Sequence, residues 1–104
     1  MKNRCDIFKK MILNEEFVEA HEVLEDPWKR YKKTDPVVSN ILKGFINGAT
    51  ALALYKRGNL KGYEKVWKTF LKYEVLIEKN SENFELFEEI RSLLHSQKNK
   101  IASL

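Results

Sequence analysis

GFINGATALALY, residues Gly44 to Tyr55, decides how this chain folds. It holds no charged side chain, although 33% of the 104 residues are charged. Lys43 and Lys56 bracket it. A membrane span takes about 20 apolar residues, so this shorter run reads as the middle of a helix buried on most of its circumference. Upstream, Asp35 can cap such a helix and Pro36 suits its first position. Downstream, Gly58 supplies the left-handed residue that ends one. We therefore expect a central helix over 36–57. Ile41, Leu42, Phe45, Ile46, Ala49, Leu52 and Ala53 give it one broad apolar face. Gly44, Gly48 and Ala51 give it a second face of small residues, where another helix can come close.

The flanking stretches also show helical spacing. Cys5, Phe8 and Ile12 mark an amphipathic helix over 2–13. Asn14 is a candidate cap for a second helix, with Glu15 and Glu16 at its positive end. That helix is expected over 15–28, with Phe17, Ala20, Leu24 and Trp28 on one stripe and a kink or break near Asp26, ahead of Pro27. After the central helix, Asn59 can cap a helix reaching about Lys79, whose stripe includes Tyr63, Val66, Trp67, Phe70 and Ile77. The turn between these two is so short that they must form an antiparallel hairpin. A last helix over 84–98 carries Phe84, Phe87, Ile90, Leu93 and Leu94. The expected fold is all-α: residues 1–104 as one bundle of about five helices around a buried central helix.

Composition agrees. Hydrophobic residues make up 43%, enough for a core, and only 4 Gly and 2 Pro signal turns. The single cysteine, Cys5, excludes an intrachain disulfide framework. MKNRCDIFKK at the N-terminus has no apolar run of signal-peptide length, and we expect a cytoplasmic protein with no membrane association. The net charge of +4 is mildly basic. Its densest cluster, Lys29, Arg30, Lys32 and Lys33, reads as a solvated surface ahead of a nucleic-acid site.

Two motifs carry a resemblance. FVEAHEVLEDPW (Phe17–Trp28) and GFINGATALALYKRGNLKG (Gly44–Gly62) resemble the small helical bacterial and archaeal family called domain of unknown function 309. The first matches at Glu19, Ala20, His21, Glu22, Glu25 and Trp28, and the second at Gly44, Ile46, Ala49, Arg57, Gly58, Asn59 and Gly62. The similarity runs from Asn14 to about Leu71. This chain departs from the pattern at Asn47, where the family usually has Gln, and at Leu54, where it often has His. The resemblance implies an all-helical bundle and brings no established activity.

His21 and Glu25, spaced i, i+4, are the candidates for chemistry, with Glu22 beside them. Both could reach one divalent metal ion from one helix face, and HEVLE looks like a zinc-protease motif with its second His replaced. A catalytic zinc site wants three protein ligands, however, and nothing in the spacing brings His95 to His21. The same pair could move protons, a carboxylate orienting an imidazole. The bland alternative is structural: His21 hydrogen-bonded to Glu25 or Asn47, Trp28 closing over them, and Arg57 and Asn59 tied to an acid such as Glu22. Sealed in that way, His21 would make His21→Ala cost a few kcal/mol, of the order of about 1–3 kcal/mol for a buried polar group left unpaired. We take this alternative as the leading one. It makes the chain a binding or scaffolding module, with Trp28, Asn47, Arg57 and Asn59 as binding candidates. No cofactor is expected. The expected partner is a second copy or another protein; a hydrolase-like or acid–base enzyme is the rival, and a nucleic-acid accessory role stands behind both.

Overall fold

The computed structural model describes residues 1–103, and helices account for nearly all of their regular structure. In chain order they are α1 (Lys2–Leu13), α2 (Phe17–Val23), α3 (Glu25–Thr34), α4 (Pro36–Lys56), α5 (Leu60–Glu74) and α6 (Phe84–Ala102). The bundle of about five helices is present, with α2 and α3 as the two arms of the broken second helix. The Cα radius of gyration is 12.8 Å, matching the roughly 13 Å of a compact chain this long.

Helix α4 begins and ends as its sequence dictates. Asp35 accepts a hydrogen bond from the Val38 amide at 3.2 Å, and Pro36 occupies the first turn, where no amide donor is needed. At the far end Gly58 takes φ +81°, and the Asn59 amide reaches back to the Leu54 carbonyl at 3.0 Å. Asn59 then caps α5, accepting from the Gly62 amide at 2.9 Å. A Cβ on Gly62 would lie 2.9 Å from that Asn59 side chain, so the glycine leaves room for the cap. The hairpin of α4 and α5 is the most extensive helix pairing in the molecule. Gly44 permits it: a Cβ there would stand 2.9 Å from Tyr73 Cβ.

The core radiates from Phe45 on α4. Its ring meets Phe8 of α1 at 6.4 Å, Phe70 of α5 at 6.5 Å and Phe87 of α6 at 5.8 Å between centroids, all four fully or almost fully buried. Tilted contacts of this kind add about 0.5–1.5 kcal/mol each beyond the area they bury. Taken whole, α4 is long and apolar enough to cross a membrane, but 56% of its apolar window is buried against its neighbours. It is the core helix of a bundle.

Three boundaries differ from expectation. The second helix breaks at Leu24 (φ −95°, ψ 0°), three residues before Pro27. A proline is tolerated in a first turn, so the chain restarts early enough to place it there. The Val23 carbonyl, which Pro27 cannot serve, accepts instead from Arg4 at 3.2 Å. Asn14 does not open α2 but closes α1, and Glu15 follows it in a left-handed conformation, φ +59°. Helix α5 stops at Glu74, and the chain then turns Ile77 into the core.

Candidate functional site

His21 lies in the last turn of α2 and Glu25 opens α3. Their i, i+4 spacing therefore straddles the break at Leu24. His21 Nδ1 is hydrogen-bonded to the Val18 carbonyl of its own helix. Nε2 faces Glu25 at 3.6 Å, beyond ordinary hydrogen-bond reach. The two side chains are 32% and 39% exposed. On the same helix Glu19 and Glu22 point to solvent, while Phe17, Ala20 and Leu24 are buried.

The other candidates do not converge on this pair. The Asn47 amide donates to the Lys43 carbonyl on its own helix at 2.8 Å, where a link to His21 was expected. Asn is too short to do otherwise easily once its amide folds back along the helix. Arg57 is the exposed residue that caps the C-terminus of α4, and Asn59 is occupied by the α5 cap, so neither meets Glu22. Trp28, expected to close over His21 and its partner, is half-buried, and the group over its own ring is the Lys32 ammonium, 4.4 Å from the centroid. Its carbonyl accepts from the buried Ser39 hydroxyl at 3.1 Å, and that bond holds α3 to the start of α4. Leu54 is half-buried on α4, on the same face as Asn47 and two turns along. Three surface clefts lie elsewhere, and none is lined by His21, Glu22, Glu25 or Trp28. Among the described residues, no three His, Cys, Asp or Glu side chains come together as metal ligands. Burial pushes the Cys5 thiol up to about 11, so it stays protonated and unreactive near neutral pH.

A second histidine–carboxylate pair was not visible in the sequence. His95 of α6 bonds Glu74, the last residue of α5, at 2.8 Å between Nε2 and Oε1. The imidazole rests against Trp67 and Phe70, with centroids at 5.5 and 5.2 Å. Arg91 donates to the Glu74 carbonyl at 3.3 Å and is also paired with Glu88. The pair borders a shallow cleft with Ser92, Ser96 and Asn99 on its rim. Glu74 and His95 are 21 residues apart on different helices, so no local spacing announces them.

The chain belongs to the family described as domain of unknown function (DUF309), whose sequence model matches residues 8–66. No curated protein and no solved structure matches it significantly. The match takes in the second half of α1, the His21 motif, α4 and the first half of α5, and it ends before Glu74 and His95.

Proposed function

We propose that this chain works as a small helical binding or scaffolding module, and that the His21 motif serves a surface rather than a reaction. One observation carries the reading: the polar half of the motif is open while its apolar half is sealed. Glu19 and Glu22 are exposed, His21 and Glu25 are about a third exposed, and Phe17, Ala20 and Leu24 are buried. A catalytic or metal site calls for the reverse, with reactive atoms converging in a water-excluding cleft. What the motif presents instead is a rigid polar surface on two short helices, fixed to α4 by apolar packing and by the Ser39–Trp28 bond.

The test is elemental analysis of untagged protein purified without chelators, run beside light scattering over a concentration series. The expected result is no stoichiometric transition metal. One tightly held metal per chain, lost in His21→Ala or Glu25→Ala, would overturn the reading in favour of a metalloenzyme. Light scattering then reports whether the bound partner is a second copy.

A further inference from the structure

The net charge of +4 is unevenly spread. Residues 14–24 carry Glu15, Glu16, Glu19 and Glu22 with no Lys or Arg. On α5, by contrast, Lys61, Lys65, Lys68 and Lys72 are all exposed. At 3.6 residues per turn they fall within an arc of about 60° and form a straight row about 16 Å long. Glu64 is the one carboxylate beside the row, and Glu74 is turned to His95. Among the described residues, no Lys or Arg of α3 or α5 has a carboxylate within 4.0 Å; the salt bridges take their cations from α1, α6, His21 and the end of α4.

The row continues onto the neighbouring helices. On α4, Ser39 faces α3 through its bond to Trp28, and Gly44 faces α5 across Tyr73. Lys43 lies between them, about 40° round the helix from Ser39. Its ammonium stands 5.7 Å from the Tyr73 ring centroid, and that of Lys72 stands 5.2 Å from the same ring. Lys32 of α3 covers Trp28 in the same way. Two ammonium groups drawn to one ring gain some attraction from its face but repel each other, and an anion between them removes that cost. Three helices thus place unpaired cations around two half-buried aromatic rings.

We propose that this α3–α4–α5 face binds the phosphate backbone of a nucleic acid. The proposal rests on the binding-module reading and names its partner. A straight row about 16 Å long can lie along the backbone of one strand and meet several of its successive phosphates. An anionic membrane fits less well, because stable surface binding buries a broad apolar helix face opposite the cations, and α5 packs its own, with Trp67 and Phe70, into the protein core. Of the large apolar side chains of α5 only Leu60 and Leu71 stay exposed, about a quarter turn from the row. The contacts are to backbone, so binding is independent of base sequence.

The experiment is fluorescence polarisation with three labelled probes: a 20-base-pair DNA duplex, its single strand and the matching RNA duplex. Phosphatidylserine-containing vesicles are run in parallel. The expected result is saturable binding at 50 mM salt that weakens linearly in log Kd against log salt. The triple variant Lys65→Gln, Lys68→Gln, Lys72→Gln should bind at least tenfold more weakly. It should also lose about 2–3 units of salt slope on the DNA duplex, close to one for each phosphate contact removed. Lys10→Gln, Lys79→Gln, Lys98→Gln removes the same charge elsewhere and should stay within threefold of wild type, with both triples first shown to melt like it. No saturable binding to any nucleic acid at low salt overturns the proposal, as does binding to vesicles alone. Equal losses in the two triples, or a wild-type salt slope near zero, also overturn it. Any of these outcomes, with the protein still metal-free, removes the nucleic acid and leaves the module.

Discussion

His21 and Glu25 sit one nominal helical turn apart yet stand 3.6 Å from each other, while Glu74 and His95, on different helices, meet at 2.8 Å. The contrast shows what makes a contact in this fold. Helical register would bring the first pair together, but the break at Leu24 opens it, and His21 settles on the Val18 carbonyl. The second pair has no register to rely on. It is set by packing: Trp67 and Phe70 fix the imidazole, and Arg91 holds the Glu74 carbonyl. Glu74 is also the more enclosed carboxylate, 16% exposed against 39% for Glu25. The imidazoles are similarly exposed, 38% for His95 and 32% for His21, so the shorter contact and the better enclosed carboxylate are what favour the Glu74–His95 pair. It joins α5 to α6, two helices that approach each other little elsewhere.

The sharpest way to break this comparison is to remove the seat of His95. Phe70 is fully buried, lies against Phe45 and Trp67, and carries one side of that imidazole. Phe70→Ala should cost about 3–5 kcal/mol in urea denaturation, the range for truncating a buried aromatic. A loss under about 1 kcal/mol would show that the seat is not part of the core. The comparison itself is read by two double-mutant cycles. Coupling between His95→Ala and Glu74→Ala should be about 1 kcal/mol, and between His21→Ala and Glu25→Ala under about 0.5 kcal/mol. Truncating His21 alone should cost less than about 1 kcal/mol, since it is a third exposed and its bond is local. Coupling larger at His21 than at His95 would reverse the ordering argued here. It would make the family motif, not the α5–α6 contact, the polar tie of the bundle.

The same contrast explains how much could be read from the chain. Features set by local chemistry were legible. Asp35, Pro36, Gly58 and Asn59 each act through the next few backbone groups, so α4 and the hairpin followed from sequence alone. The apolar stripes gave the core helices because a 3.6-residue period survives any arrangement of neighbours. Pro27 announced a break but not its place, because a proline in a first turn moves the break upstream and the freed Val23 carbonyl needs Arg4 from another helix. The His21 motif was visible as a pattern, but its geometry depended on that break. Glu74 with His95, and Lys43 beside Lys72 at the Tyr73 ring, were hidden because each is assembled by packing between elements, whereas the lysine row of α5 stands at helical spacing in the sequence itself.

The smallest expected effect concerns a carboxylate outside both pairs, and it has to be separated before either pair is compared across pH. Glu15 occupies a left-handed position where glycine is usual, following α1, and its carboxylate bridges Lys56 at 2.9 Å and Lys100 at 3.7 Å. The Lys56 contact first, and Lys100 after it, hold this carboxyl below the ordinary glutamate range. A depressed value in the folded state means that the unfolded chain takes up the proton more readily. The stabilisation from Glu15 is therefore present above an ordinary glutamate value of about 4.3 and is lost as pH falls through the lower folded-state value. Asp6, where desolvation pushes the carboxyl up but the combined pull of Lys2 and Lys9 outweighs it and holds it below its ordinary value, titrates in the same acid region. Glu15→Gln keeps the backbone and removes the charge, so it should flatten the acid limb of the melting temperature below about pH 5 and leave the curve parallel to wild type above it. Glu15→Gly should flatten it equally while recovering backbone strain of about 1 kcal/mol at pH 7. If the acid limb of Glu15→Gln stays as steep as that of wild type, the bridge between α4 and α6 is only a surface contact, and the pH dependence of the bundle belongs to other carboxylates.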